Sequence, residues 1–505
     1  MSSYILAYDF GTGGTKASLY NEKGECLAGS FVSCDTFYPK QGWHEQKPAE
    51  WWSSVVESTN TLLNSQDIDR DKIVGIGISG HSLGVVPVDA NGELLRDQVP
   101  IWSDSRPDSQ QIDKFFETVD EEEWYMTTGN GFPPALYSVF KLMWFRDNEP
   151  EMFDKVHCIL GTKDYINYIL TGKMATDFSY ASGSGVYDLK EWKYSDKLIK
   201  ASGLDASIFP EIVKSSDVIG TLTAEAAEAL GLPQTVKVVA GGVDNSCMAL
   251  GARCFQDGRV YNSQGSSSWI AVSSSEPVLD PESRPYVFTH VVPGLFASAL
   301  AIFSAGTTFR WVRDNMCKDL CEQADTDGVD VWNLLTAEAE TAPVGSNGLI
   351  LNPTLAGGTC LDPTPAMRGG LVGIDLSHTR ADVLRACMEG IPMGLKVALD
   401  NLKNHTQFEN EMTIVGGGSK SPFWREIYAN VYNMKLVKTN VDQQAAALGA
   451  AALVAVGCGL WEDYSQIDNV HEVEVTCEPN AETAAEYAVK LEKYKEVTKA
   501  LASLV

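Results

Sequence analysis

Positive charge is what this chain of 505 residues is short of: 39 Lys and Arg stand against 67 Asp and Glu, a formal net charge of −28. Nucleic acid and anionic membrane surfaces are bound through basic patches, so neither is an expected partner. A polyanion such as ATP stays within reach if backbone amides, a few local cations and a metal ion supply positive potential. Paired cysteines are missing too. The eleven cysteines are scattered, an odd number, with no C-x-x-C; the closest two, Cys317 and Cys321, lack a nearby His or Cys partner. This usage points to reduced thiols in a cytoplasmic protein and away from disulfides or a zinc site. The amino terminus MSSYILAYDFG has no charged region followed by a long apolar run, and no apolar segment approaches a membrane span. No low-complexity linker is present either. What remains is an ordinary globular composition, 44% hydrophobic and 21% charged, with material for two or three domains.

The stretch Val239 to Gly251, VAGGVDNSCMALG, organises the rest. A short apolar strand runs into two glycines, then Asp244-Asn245, then small and apolar residues at helical spacing. A carboxylate at a strand-to-helix junction serves either as a general base facing a cleft or as a helix cap. Near the amino terminus, Tyr4 to Tyr8 reads as a buried strand and Ala17 to Tyr20 as its return. The loop between them carries Asp9, Thr12, Gly13, Gly14 and Lys16, whose amides can cradle phosphate oxygens. The G-x-x-x-x-G-K-S/T spacing of a Walker loop is absent. Asp9 at the strand end can hold magnesium through water.

Three further stretches carry polar and aromatic groups. QGWHEQKPAEWW leads into a helix starting at Pro48, with Trp43 and Glu45 exposed in the loop before it. IVGIGISGHSLG is a strand ending in a turn with His81, Ser82 and Leu83, and PIWSDSR places Trp102, Asp104 and Arg106 in one loop. Aromatic faces beside donors and acceptors suit polyhydroxylated ligands. Residues 113–231 read as a helical insertion on the first sheet, within which ATDFSYASGSGVY (175–187) borders a sugar pocket. In the second half, YNSQGSSSWIAV repeats strand, Gly-Ser turn, strand, with Gly265 and Ser266 in the turn, and MTIVGGGSKSP echoes IVGIGISGH. Gly306 opens a helix and can admit a base or ribose. Residues 381–399 read as a long amphipathic helix, 444–456 as a small-residue core helix on the sheet, and 482–504 as an exposed, charged helix.

Taken in order, YDFGTGGTK, GWHEQKPAEWW, IGISGHSLG, IWSDSRP, GGVDN, QGSSSW, RGGLVGIDLSHTR, GGGSKSPFWREIYANV and ALGAA resemble the FGGY family of carbohydrate kinases, within the actin/hexokinase/Hsp70 ATPase superfamily. The resemblance covers nearly the whole chain and is strongest to the xylulose kinase (pentulose kinase) branch. It implies an α/β chain of two duplicated actin/hexokinase-like (ribonuclease H-like) ATPase domains with an interdomain active-site cleft. Residues 1–248 would carry the sugar site, the first phosphate loop and the catalytic Asp, and 249–505 would bind ATP. By the resemblance Asp244 is the base, and Asp9 stands near Mg2+ and the γ-phosphate. Thr12, Gly13, Gly14 and Lys16 form the first phosphate loop, Gly265 and Ser266 the second, and Gly306, Gly417 and Gly418 line adenosine. Substrate contacts are implied for His81, Ser82, Leu83, Trp102, Asp104 and Asn245. The implied partners are ATP, Mg2+ and a small sugar or polyol, with a homodimer allowed. One departure stands out. The branch typically reads G-Q-M-H-G where this chain has Gly80-His81-Ser82-Leu83-Gly84, so Leu83 replaces a substrate-contacting histidine. The stretch VVPGLFASALAIFSAGTTFRWVRD resembles instead the branch acting on the autoinducer-2 furanone precursor. The expected reaction is phosphorylation of a ketopentose such as D-xylulose. Tetritols, L-pentuloses and that furanone are the alternatives, and a sugar-independent ATPase regulator on the same fold is the rival of a different class.

Overall fold

The structure, a computed structural model, describes residues 3–66 and 68–505. Contacts divide the chain into two units. The first comprises Met1–Asp257, Ser273–Ala297 and Gln444–His471; the second comprises Gly258–Val272, Ser298–Gln443 and Glu472–Val505.

The first unit is built on a hairpin of β1 (Tyr4–Gly11) and β2 (Gly14–Asn21), extended by antiparallel β3 (Cys26–Ser33). Helix α1 (Pro48–Asn64) starts on Pro48, whose fixed φ suits the first helical turn. Strand β4 (Ile73–Gly80) lies parallel to β1, and β5 (Val218–Thr221), β6 (Lys237–Val239) and the short β7 (Gly242–Val243) complete the far side. The spatial order is β5-β6-β4-β1-β2-β3, with β7 also on β4. The alternation in IVGIGISG decides what each face of β4 accepts. Ile76 and Ile78 join the core under α1 with Trp51, Val55 and Leu62. Gly75 and Gly77 turn to the other face, where the helix Ala445–Gly457 lies so close that a Cβ on Gly77 would stand 2.6 Å from Ala450 O. That helix packs equally closely on α2 (Asp244–Gly251): a Cβ on Gly449 would stand 2.0 Å from Cys247 O. Its small residues are therefore explained by two close backbones, one on the sheet and one on the helix that Asp244 begins.

The second unit repeats the plan. Strands β8 (Val260–Gln264) and β9 (Ser268–Ser274) form a hairpin, and β10 (Glu411–Val415) lies parallel to β8. Beyond it stand parallel β11 (Lys435–Thr439) and antiparallel β12 (Val473–Cys477). Hairpin plus parallel third strand is thus common to both sheets, the physical content of the echo in sequence. One expectation needs correcting. The helix Arg380–Lys403 is buried on every side from Leu384 to Leu395, so it is a central helix and not an amphipathic one. The carboxy-terminal helix Ala481–Ala502 buries only Ala484, Tyr487, Leu491 and Tyr494, a single stripe with charged residues around it. Among the described residues no helix is long and apolar enough to cross a membrane.

Candidate active site

In the first unit, sheet register brings the acidic residues together. Asp9 on β1 is paired with Lys16 on β2 and with Ser79 on β4, and Gly242 on β7 is also paired with Ser79. Two residues past Gly242 the chain enters α2 at Asp244. The N-cap position is Val243, so Asp244 is the first helical residue and its carboxylate is not the cap. Ser79 Oγ donates to Asp9 Oδ1 at 2.9 Å, and the Asn245 N–H donates to Asp244 Oδ1 at 2.8 Å. Both carboxylates are raised in pKa. Burial raises Asp9, opposed by the Ser79 hydrogen bond and the Lys16 charge. Burial also raises Asp244, the negative charge of Asp9 raises it further, and together they carry it to about 7. Asp9, Asp244 and Asn245 keep partly exposed side chains.

The β1–β2 turn is tied from outside. Thr12 Oγ accepts from Trp102 Nε1 at 2.8 Å, and Thr12 O accepts from Gln46 Nε2 at 2.8 Å. Gln46 Oε1 in turn accepts from Trp51 Nε1. Gly14, at φ 149°, lies where a Cβ would meet Val32 O at 2.2 Å, whereas Gly13 faces open space. Trp102 is partly exposed and couples its loop to this turn.

His81, Leu83 and Asp104 are not brought to an open face. His81 is buried edge-on against Trp51, its Nδ1 3.3 Å from Thr162 Oγ, and burial pulls its pKa down to about 4, leaving it neutral. Ser82 is buried beside it. Leu83 occupies the left-handed region at φ 61°, buried in a cluster with Val85 and Phe140, and its carbonyl accepts from Lys141 Nζ at 3.0 Å. Asp104 is fully buried with both oxygens engaged: Oδ1 accepts from Arg106 Nε, and Oδ2 from Arg106 Nη2 and the His44 N–H. Glu45, expected to be exposed, is buried as well and pairs with Arg106 at 2.6 Å and Arg96 at 3.1 Å. The ion pair on this turn is a buried strut, because the loop folds under Trp43 and the Arg106 guanidinium stacks on that ring at 4.3 Å.

In the second unit, Gly265, Ser266, Gly306, Gly417 and Gly418 all line one cavity of about 540 Å3. The hairpin turn and the helix Gly306–Met316 approach each other here, with the Gly306 N–H on Gly265 O at 3.0 Å; a Cβ on Gly306 would lie 2.6 Å from that oxygen. One wall is aromatic: Phe309 stands 5.4 Å from Trp332 and 5.3 Å from Trp424. Arg310 and Lys420 supply local positive charge. The volume and the mix of an aromatic wall, backbone amides and cations suit a nucleotide. Gln46, Lys141 and the aromatic wall are functional candidates that the sequence does not single out. The wall sits on helices of ordinary amphipathic spacing, so nothing distinguishes its rings from core. Among the described residues no cluster of three or more His, Cys, Asp or Glu could hold a metal by protein ligands alone.

Two units that each open on a glycine-rich hairpin, one with facing acids and the other with a nucleotide-sized cavity, have the build of an actin/hexokinase-like phosphotransferase. Models of the FGGY family of carbohydrate kinases match the chain, the N-terminal domain over residues 4–251 and the C-terminal domain over 260–458. The chain belongs to that family, and is a sugar kinase of the kind that uses ATP as phosphoryl donor. A xylulose kinase of Lactococcus lactis subsp. lactis (strain IL1403) is 30% identical over 502 residues, 98% of this chain and 97% of the relative. The solved structure of a ligand-bound xylulose kinase from Lactobacillus acidophilus superposes with TM-score 0.90 at 27% identity, covering 99% of this chain and 98% of that one. A gluconate kinase from the same organism superposes with TM-score 0.89 at 26% identity, covering 99% of each chain.

Proposed function

We propose that this kinase transfers the γ-phosphoryl group of Mg-ATP to a hydroxyl of a small neutral keto-sugar, a ketopentose such as D-xylulose, with Asp244 as general base. The observation that carries this is Asp244 itself: a carboxylate at the first turn of a helix, raised to about 7 and flanked by Asp9. A base with a pKa near the working pH is ionised often enough to act and basic enough to take a hydroxyl proton. Phosphoryl transfer otherwise asks the protein for positioning and charge neutralisation. Residues 1–248 then supply the acceptor site and base, and 249–505 the nucleotide site. Thr12, Gly13, Gly14 and Lys16 hold phosphate oxygens from the first unit, Gly265 and Ser266 from the second, and Gly306, Gly417 and Gly418 line the adenosine. Asp9, a partly exposed carboxylate near the end of β1 beside the glycine-rich turn, fits a magnesium ion held through water. Bound there, the ion would neutralise γ-phosphate charge. Trp102, Ser82 and Asn245 orient the acceptor. His81, Leu83 and Asp104 act from behind, shaping the two loops.

Support for a neutral acceptor comes from the cations near these loops, which already have partners. Arg106 pairs with Asp104 and Glu45, Lys163 with Asp164 and Asp177, and Lys141 donates to the carbonyls of Leu83 and Ile101. A sugar acid would want one of them. The likeness to a gluconate kinase makes gluconate the second reading. ADP release should be measured with Mg-ATP over D-xylulose, L-pentuloses, ketohexoses, tetritols, glycerol and gluconate. D-xylulose should respond most strongly, and Asp244→Asn should abolish the response by about 100-fold or more. Gluconate as the strongest acceptor would overturn the neutral-acceptor reading. Silence over the whole panel with ATP still bound would point to the furanone or to the sugar-independent ATPase.

A further inference from the structure

The segment Ala240–Val243 delivers Asp244 to the site, and its two central residues are glycines. Gly241 sits at φ 72°, where glycine alone is at ease, and neither glycine has a side chain to pack it in place. Its position must therefore be fixed by its surroundings. Beside the β7–β4 pairing and the backbone bonds from the Ala240 N–H to Asp217 O and the Gly241 N–H to Ser215 O, three buried side chains do this, two from the helix Thr162–Thr171 and one from the hydroxyl-rich stretch 175–187. Lys163 Nζ and Asn167 Nδ2 both donate to Ala240 O, at 3.1 and 2.8 Å. At the other end, the Val243 N–H donates to Ser179 Oγ at 2.9 Å. The Ser179 hydroxyl has one proton, and it goes to Asp177 Oδ2 at 2.5 Å, which leaves lone pairs facing Val243. Asp177 is locked in turn: Oδ2 also accepts from the Ser179 N–H at 2.9 Å and Ser215 Oγ at 2.7 Å, and Oδ1 pairs with Lys163 Nζ at 2.9 Å. The whole set is buried. Within 175–187, Asp177 and Ser179 turn into this network, whereas Thr176, Tyr180, Ala181 and Ser184 line a small cavity of about 30 Å3.

We infer that Ser179, oriented by Asp177, is a positioning residue for the proposed base, holding the backbone one residue ahead of Asp244. The inference rests on Asp244 being that base. Charge-assisted bonds in a buried network are strong and mutually reinforcing, so the network sets one geometry. A displacement of about 1 Å in a reacting group can lower the rate about 100-fold.

Ser215 provides the control: its side chain bonds to the same Asp177 oxygen but not to the segment, and its carbonyl, which accepts from the Gly241 N–H at 2.9 Å, is kept in an alanine variant. Ser179→Ala and Ser215→Ala are compared in the full-length enzyme with D-xylulose, or with whichever acceptor of the panel turns over fastest. Both remove one buried hydrogen bond to Oδ2, and Ser179→Ala also leaves the Val243 N–H without its acceptor, so it should lose the larger amount of Tm. Ser179→Ala should lower kcat about 10- to 100-fold, with acceptor KM little changed and the midpoint of the acidic limb of kcat displaced. Ser215→Ala should keep kcat within about twofold. Should the alanine variant fail to fold, Ser179→Cys keeps the buried volume with a poorer acceptor and should show the same selective loss. Equal losses of kcat in the two serine variants, or a Ser179 variant that keeps kcat, would overturn the inference. Full activity in Asp244→Asn would instead sink the base assignment, which keeps the two failures apart.

Discussion

Asp244 carries a conflict between stability and use. Its pKa in the folded protein, about 7, lies above the ordinary aspartate value of 3.8. The folded state therefore keeps a proton that the unfolded state releases between those two values. Stability contributed by the protonated form is greatest below the lower value and falls as pH rises, being fully lost above about 7. Asp244→Asn removes the titration. The variant should have a higher Tm than the parent at pH 8, a gap that narrows at pH 5, as differential scanning fluorimetry would show. The parent's kcat/KM for the acceptor should rise with pH through an acidic limb centred near 7. A variant less stable than the parent at pH 8 would mean that Asp244 is not under strain. At this scale the sequence was legible where backbone dictates position: Asp9, Asp244 and the glycines of both hairpins are placed by strand register. It was less legible for long polar side chains. Asp104 and Glu45 look exposed in a polar loop, and only the folded loop reveals Arg106 between them.

Helix Ala445–Gly457 shows what composition says about an element and what it leaves out. QAAALGAAALVAV announces close packing, and the helix does lie on the sheet. Its second contact, on α2, involves residues some two hundred positions away and leaves no mark in either stretch alone. Gly449→Ala tests that contact. Alanine gains about 1 kcal/mol of helix propensity over glycine. Yet the new Cβ would stand 2.0 Å from Cys247 O, a backbone atom of α2 that cannot swing aside. Overpacking of this kind costs up to about 3 kcal/mol or more, so the net effect should be destabilisation, read from a lower urea midpoint. Because α2 begins at Asp244, kcat should fall with it. A neutral midpoint would show that the two helices can slide apart freely. The long helix Arg380–Lys403 erred in the opposite direction: its polar residues suggest a wet face, but Arg385 and Glu389 satisfy one another inside, with Lys490 and Tyr487.

For the molecule as a whole, the net charge of −28 opposes the approach of a polyanionic nucleotide. That repulsion acts over about 30 Å at 10 mM salt and only about 8 Å at 150 mM. Short-range contacts with Arg310 and Lys420 are less affected by screening. The KM for ATP should therefore fall as NaCl is raised from about 10 to about 150 mM, measured at saturating acceptor. A KM that rises instead would assign nucleotide capture to the local cations. The two-unit plan was visible in the repeated hairpins, but the threading was not. Linear sequence does not disclose that residues 444–471 return to the first unit after the second is almost complete. This return has a consequence for synthesis. Asp244 and α2 leave the ribosome some two hundred residues before the alanine-rich helix that backs them. At about 5–20 residues per second the wait is on the order of 10–40 s. A nascent chain that has passed α2 but not Ala445–Gly457 thus holds every proposed acceptor-site residue without the helix that packs against α2.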